Sequence, residues 1–290
     1  MAGPIVILSD THLGRPHSSA VSAKALSPLW AGASRLILNG DVAEVHHPKY
    51  AERAEDEMIS LFEQCEIEGV ILTLLSGNHD PYLSDLRHVH IANDSIFVTH
   101  GDVLHPAIAP WSPAAPYVRM AHEEALSQVP PEDRDHLEAR LAVSRYASTR
   151  ECELLCDKLS SSTTVQVLRR PWSILQVLHY WHVIPSLAAC FTKTHCPKAK
   201  FMIFGHTHRP GIWEFEGLTV INTGCYGFPG HPRAVTIEGQ ELKVWAIKLK
   251  KGEYRLAREP IKRYELPEAV SAPSALNTRP VIFRPNAKAM

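Results

Sequence analysis

Three short apolar runs near the start of the chain, Ile5–Leu8, Leu36–Leu38 and Val70–Leu75, each stop at a turn that carries Gly or Asp. Runs of this length suit strands buried on both faces of a sheet. Between the second and third, Ala51, Ala54, Met58, Leu61, Phe62 and Cys65 recur at helical spacing within Pro48–Gly69. Strand, helix and strand at this spacing predict an α/β layered core. Leu86–Ile91 and Ser95–His100 then read as two strands joined through Asn93-Asp94, a hairpin signal.

The pattern changes after His105. A Pro-rich connection (Pro106, Pro110, Pro113, Pro116) leads into two long helical segments. Glu132–Leu159 is charged, with an apolar stripe that includes Leu137, Leu141, Leu154 and Leu155. Trp172–Phe191 is apolar around most of its circumference, and Pro185 is expected to kink it. From Phe201 the strand pattern returns. Phe201–Phe204 precedes two hairpin-like pairs, Ile212–Phe215 with Leu218–Ile221 and Ala234–Ile237 with Leu242–Ile247, each connected through Gly. The expected organisation is a core of residues 1–104 and 201–250, a helical insert or cap at 105–200, and a C-terminal extension at 251–290. Whether that extension wraps the surface or lacks order is left open by its composition.

At 290 residues, 45% hydrophobic and 21% charged, the chain can bury a substantial core. Thirty Lys and Arg against 31 Asp and Glu leave a formal charge of -1, no global reason to expect a nucleic-acid partner. Six cysteines in a chain this long do not resemble a disulfide framework. Cys152 and Cys156 lack the second pair that a zinc ribbon needs, so reduced thiols in a cytoplasmic protein are expected. No basic region or cleavage site precedes Ile5, so a secretory signal is not expected. No uninterrupted apolar stretch reaches the ~20 residues of a membrane span. Seventeen histidines direct attention to metal or proton chemistry.

Five short motifs lie at or just after expected strand ends. They are Asp10-Thr11-His12, Gly40-Asp41, Gly77-Asn78-His79-Asp80, His100-Gly101-Asp102 and Gly205-His206-Thr207-His208. Loops at the carboxyl ends of strands gather ligand-binding residues, so motifs far apart in sequence can converge there. Among them the candidate ligands, two Asp (Asp10, Asp41), one Asn (Asn78) and four His (His12, His100, His206, His208), supply oxygen and imidazole nitrogen without thiolate, a set suited to Mn, Fe, Zn or a similar divalent ion. Two ions about 3.5–4 Å apart need one ligand that reaches both, and Asp41 is the candidate bridge. Taken singly, each motif is also an ordinary capped turn or surface loop; their joint occurrence in this order carries the metal reading. Outside the motifs, His46 and His47 read as a solvated loop or as cleft lining. Arg209 reads as a phosphate contact or a surface ion pair. Asn222-Thr223-Gly224, His105 and Asp102 are candidates to support the site.

The five motifs resemble the signature of the calcineurin-like metallophosphoesterases: D-x-H, G-D, G-N-H-D, G-H and G-H-x-H. The resemblance covers the core on both sides of the insert, about two thirds of the chain. It implies a four-layer α/β/β/α sandwich with a dinuclear metal centre, manganese being the first expectation. It also implies that Asp10, His12 and His208 hold one ion and Asn78, His100 and His206 the other, with Asp41 bridging. His79 would sit beside the scissile phosphate and Asp80 would orient its ring. The implied activity is hydrolysis of a phosphoester or phosphoric anhydride by a metal-activated water.

Between His100 and His206 lie 105 residues that carry Trp111, Tyr117, Trp172, Tyr180 and Trp181. The same stretch holds Arg119, Arg145, Arg150, Arg169 and Arg170. One reading is a helical subdomain with its own small core and a charged exterior. The other is an apolar groove with a basic rim, suited to a lipid-bearing or nucleotide-linked diphosphate and to peripheral membrane contact. The second is similar to the UDP-2,3-diacylglucosamine hydrolases, which share a helical insert here and a related Gly-His-Thr-His-Arg-Pro ending. This chain departs from them at His79, where they usually carry Arg, and at Val42-Ala43-Glu44 after Gly40-Asp41. A phosphate-containing small-molecule or lipid-linked substrate is therefore expected. The alternative from another class is a non-catalytic metal-bound scaffold.

Overall fold

The computed structural model describes residues 3–15, 21–157, 171–227 and 230–270. In β1 (Ile5–Leu8), Ile5 and Ile7 enter one apolar core while Val6 and Leu8 enter another. A strand projects successive side chains to opposite faces, so an all-apolar strand must be covered twice. The same division recurs in β2 (Arg35–Asn39), where Ile37 joins Ile5 and Ile7 while Leu36 and Leu38 join Val6. On the outer side they meet the short helix α1 (Ala23–Leu26) and α2 (Ala51–Ile67). Ala54, Met58, Leu61 and Cys65 of α2 are buried there, but Phe62 remains exposed. With β3 (Ile71–Leu75), these strands form the parallel part of the first sheet.

A second sheet faces the first. It runs in the order β4 (His88–Ile91), β5 (Ile96–Thr99), β6 (Phe201–Phe204), β8 (Leu218–Asn222) and β7 (Gly211–Phe215). β5, β6 and β8 are parallel, with antiparallel β4 and β7 at the edges. Ile96, Val98, Phe201 and Ile203 meet Ile5, Ile7 and Ile37 between the sheets. Phe97, Met202 and Phe204 point outward to helices of the 105–200 stretch. The result is the expected α/β/β/α layering.

β9 (Arg233–Lys250) is a continuous run of extended residues that doubles back on itself. Trp245 Nε1 donates to Thr236 Oγ1 at 2.8 Å, and the Ile247 N–H donates to Pro232 O at 3.0 Å. Residues this far apart in one straight strand could not touch. The reversal falls at Gly239, whose φ of +57° is left-handed, so the hairpin expected from Ala234–Ile237 and Leu242–Ile247 is present. Much of the stretch expected as a C-terminal extension completes this sheet: β10 (Glu253–Leu256) and β11 (Lys262–Val270) both pair with β9. The remainder, 271–290, lies outside the described residues.

The 105–200 stretch supplies α3 (Ala115–Ser127), α4 (Leu137–Asp157) and α5 (Pro171–His195). α4 begins at Leu137 rather than Glu132, after a 3-10 turn at Pro131–Asp133. α3 and α4 share small cores of their own, one of Val118, Ala121 and Ala147 and another of Ala125, Val129 and Val143. α5 is divided along its length. Tyr180, Ile184, Ala188 and Ala189 pack on the second sheet as its outer layer, whereas Trp172, Ile174, Leu175 and Leu178 are exposed. Trp172–His195 is also long and apolar enough to cross a membrane by length and composition, which the absence of an uninterrupted apolar run did not suggest. Cys65, Cys152, Cys190, Cys196 and Cys225 are free thiols.

One buried ion pair ties the helices to the sheets. Arg87 and Asp102 are each 1% exposed and bonded through Nη2 and Oδ2. Ser144 Oγ of α4 donates to the same Asp102 oxygen at 2.8 Å. Arg87 Nη1 reaches Ser76 O and Gly77 O at 3.2 and 3.1 Å. Burial opposes charge on Asp102, but Arg87 together with His100, His206 and the Ser144 hydroxyl outweighs it and keeps the pKa lowered. Asp102→Ala strands the Arg87 charge and is expected to cost about 3–5 kcal/mol of stability in urea denaturation. The double variant Arg87→Met with Asp102→Leu is expected to recover most of that loss.

Candidate metal centre

The candidate donors stand on loops that leave the carboxyl ends of β1, β2, β3, β5 and β6. Backbone bonds hold these loops edge to edge: Asp10 N–H to Gly40 O at 3.1 Å, and His12 N–H to Asp41 O at 3.0 Å. Asp10, His12, Asp41, His206 and His208 all have positive φ, between 45° and 63°. Each left-handed non-glycine residue costs on the order of 1–2 kcal/mol, so the loops hold their donors against a local preference. Part of the compensation comes from the donors themselves. The Asp10 carboxylate accepts the His206 N–H at 3.0 Å, and Asp41 Oδ1 accepts the His79 N–H at 2.8 Å. The close approach demands glycine: a Cβ on Gly205 would overlap the Asp10 carboxylate and Ser9 Oγ, and one on Gly77 would overlap Asp41.

Three donor groups result among the described residues: one is His12, Glu44 and His79, and the other two share Asp41. Asp10, His12, Asp41 and His208 each offer an atom within 4.8 Å of the others, and so do Asp41, His100 and His206. Asn78 Oδ1 adds to the group of His100 and His206, 3.2 Å from His100 Nε2 and 2.9 Å from His206 Nδ1. Asp41 belongs to both, with Oδ1 3.3 Å from His100 Nε2 and Oδ2 3.9 Å from His12 Nε2. The structure therefore brings all seven candidate metal ligands together.

The second nitrogen of three rings is fixed by a group that can only accept a proton. His12 Nδ1 faces Glu44 Oε1 at 2.7 Å, His100 Nδ1 faces Asn39 O at 3.0 Å, and His206 Nε2 faces Ile108 O at 3.1 Å. The remaining nitrogens, His12 Nε2, His100 Nε2 and His206 Nδ1, turn to the donor groups, where each would offer its lone pair to an ion once deprotonated. Metal-binding histidines are oriented in this way. Burial lowers His12 and His206 to about 4, so both rings stay neutral over the ordinary pH range. Burial also opposes charge on Asp41 and His100, but their mutual attraction prevails. The imidazoles of His100 and His79 hold Asp41 well below the usual carboxylate range, and Asp41 with Asp10 holds His100 up at about 10. Donor types, shared carboxylate and oriented rings fit two divalent ions.

A family model described as the calcineurin-like phosphoesterase superfamily domain matches residues 149–240, a segment that includes His206 and His208. The resemblance to the calcineurin-like phosphoesterases holds. No curated protein matches the chain. Among solved structures, it is similar to Vps29 from Chaetomium thermophilum at 11% identity and a TM-score of 0.45, covering 92% of this chain and 100% of that one. A dimetal phosphatase from Danio rerio is similar at 10% identity and a TM-score of 0.45, over 88% and 98% of the two chains. Zinc-complexed Vps29 from Entamoeba histolytica is similar at 13% identity and a TM-score of 0.42, over 89% and 99%.

Around the calcineurin-like motifs, several expectations change. Asp80 does not orient His79. Its carboxylate accepts the backbone N–H groups of Val42 and Gly77 at 2.6 Å each and of Asp41 at 3.1 Å. Burial and the Asp41 charge raise it to about 6 despite those bonds. The group beside His79 Nδ1 is instead Glu44, with Oε2 3.5 Å away. Glu44 also anchors Arg15, whose Nε lies 2.6 Å from Oε1. The sequence signals for both are faint: each follows a ligand, Asp41 or His12, by three positions. His47 stacks on Tyr50 and His46 lies near Tyr82; neither belongs to a donor group. His105 packs edge-on against Tyr180 and accepts the Ala107 N–H. Asn222 and Thr223 do support the centre, with Asn222 Nδ2 donating to Gly205 O and Thr223 Oγ1 paired to Ser9 Oγ at 2.6 Å.

Arg209 is committed elsewhere. Pro185 lacks the N–H that would bond the Trp181 carbonyl four residues earlier in α5, and Arg209 Nη1 takes that carbonyl at 2.5 Å. Trp181 Nε1 in turn donates to Thr207 O at 2.9 Å. Arg209→Ala is expected to cost about 1–3 kcal/mol in a denaturant melt. In a Pro185→Ala background, where the backbone N–H is restored, the same change is expected to cost clearly less. For the centre itself, Gly205→Ala is expected to lower bound metal in elemental analysis while circular dichroism remains that of the native fold.

Proposed function

We propose that the chain is a dinuclear-metal-dependent phosphoesterase that cleaves a phosphoester or phosphoric anhydride bond with water. The observation that carries this reading is the position of Asp41, one carboxylate shared by two buried donor groups. A single structural ion needs no such shared carboxylate, whereas two ions set side by side do. Asp10, His12, Asp41 and His208 would hold one, and Asp41, Asn78, His100 and His206 the other. Held there, manganese or a similar divalent ion supplies Lewis acidity that acidifies water and draws charge from phosphate oxygens.

The protein's own part is positioning and proton transfer. Hydrolysis adds hydroxide to phosphorus and breaks the bond to the leaving oxygen, which then needs a proton. His79 is about one third exposed beside the donors, with its Nδ1 edge turned to Glu44 and Arg15. That leaves its Nε2 edge for the substrate, placed to stabilise or protonate the leaving oxygen. Glu44 fixes the ring, and Asp80 fixes the loop that carries it. A lipid-linked substrate is supported by the exposed Trp172, Ile174, Leu175 and Leu178 on α5.

Hydrolysis of p-nitrophenyl phosphate and its bis ester, with Mn²⁺ and after chelation, tests the reading. Chelator-sensitive turnover is expected. His79→Ala is expected to keep most bound metal and lose turnover, whereas Asp41→Ala loses both. Metal bound without turnover of any phosphate ester or diphosphate would favour a scaffold, and normal turnover by either variant would overturn the residue roles.

A further inference from the structure

Arg15 follows the Asp10-Thr11-His12 motif on the loop that leaves β1, and its guanidinium reaches the wall of the centre occupied by His79. Glu44, 2% exposed, holds it by Nε alone, at 2.6 Å. A guanidinium that met a carboxylate in the usual bidentate manner would spend two donors on it. Here the grip at Nε leaves the Nη pair. Nη2 lies 3.4 Å from His79 Nδ1, a nitrogen that also faces Glu44 Oε2. The Arg15 side chain is 36% exposed, beside a His79 ring that is 32% exposed.

The other arginines around the centre are engaged. Arg209 serves the Trp181 carbonyl, Arg87 is buried with Asp102, and Arg145 donates to Pro81 O and Ser84 O. Among the described residues, Arg15 is the arginine in contact with His79. An arginine fixed at one nitrogen by a buried carboxylate loses little conformational freedom when its remaining fork takes a second anion. Its planar donors match two oxygens of a phosphoryl group.

We propose that Arg15, anchored by Glu44, binds a charged phosphoryl oxygen of the substrate and selects for phosphates that carry two or more negative charges. This rests on the phosphoesterase reading above. A phosphodiester presents a single negative charge, whereas a monoester or a diphosphate presents an additional anionic oxygen for the fork. Monoester and diphosphate share that chemistry, and the substrates used in the test separate them.

The test is Arg15→Ala and Arg15→Lys in the full chain, each checked for bound metal by elemental analysis. Titration with inorganic phosphate by calorimetry is expected to show affinity about 10–100-fold weaker for Arg15→Ala, the loss of one charge-assisted contact. Arg15→Lys keeps the charge without the fork and is expected to fall between. In turnover, kcat/KM of Arg15→Ala is expected to fall more on p-nitrophenyl phosphate or on a nucleoside diphosphate ester than on bis-p-nitrophenyl phosphate. The larger of the first two losses marks the native class. Unchanged phosphate affinity with full metal content overturns the proposal, as does an equal loss on all substrates accompanied by lost metal. Should the wild-type chain show no metal-dependent turnover, the phosphoesterase reading falls, while the phosphate titration still decides the role of Arg15.

Discussion

The Asp80 carboxylate, fully buried, fixes how closely the loops after β2 and β3 approach each other, and the rest of the centre depends on that approach. Its two oxygens collect backbone N–H groups from Gly77 on one loop and from Asp41 and Val42 on the other. Such bonds to an ionised acceptor are stronger than neutral ones, and breaking any of them would leave an amide buried without a partner. The loops cannot slide apart without that loss. Asp41 is thereby fixed beside Asn78, and the His79 N–H is directed to Asp41 Oδ1. A carboxylate that contacts no ring thus sets the spacing between donors that do.

A second set of bonds joins the centre to the outer helical layer. Pro185 strands the Trp181 carbonyl, Arg209 satisfies it, and the Trp181 indole reaches back to Thr207 O. The arginine and the carbonyl acceptor flank His208 in sequence, so α5 is fastened to the strand end that carries two candidate ligands. Further along the same helix, Trp172, Ile174, Leu175 and Leu178 have no such engagement and stand in solvent. One helix therefore holds a half that builds the core and a half that is free to meet another surface.

The layering and the donors were legible in the sequence because both are written in local patterns. Alternation in Ile5–Leu8 requires two covers for one strand, and Gly239 between apolar runs requires a reversal. The D-x-H and G-H-x-H motifs name their own donors. What could not be read was every role assigned by tertiary contact. Asp80 follows His79 directly and so suggests a partner for its ring, yet a left-handed Asp41 turns the β2 loop's amides toward Asp80 instead. Glu44 looked like a departure from a motif and proves to hold both His12 and Arg15. Arg209 looked like a phosphate contact because nothing local shows that a proline twenty-four residues earlier has left a carbonyl without a donor.

The electrostatics of the centre explain why these second contacts matter. Asp10, Asp41 and Glu44 bring three carboxylates into a buried space, and burial alone would neutralise them. Within the protein the His100 and His79 imidazoles hold Asp41, and His79 and Arg15 hold Glu44, well below the usual carboxylate range. Protons and divalent cations would compete for the same ligand nitrogens and oxygens, so cation binding and proton release would be one exchange. Arg15 differs from the imidazoles in lying outside the ligand set, and Glu44 keeps its guanidinium at the edge of the donors. A fixed cation at that edge adds to the pull of the centre on an anion without competing for the ligands.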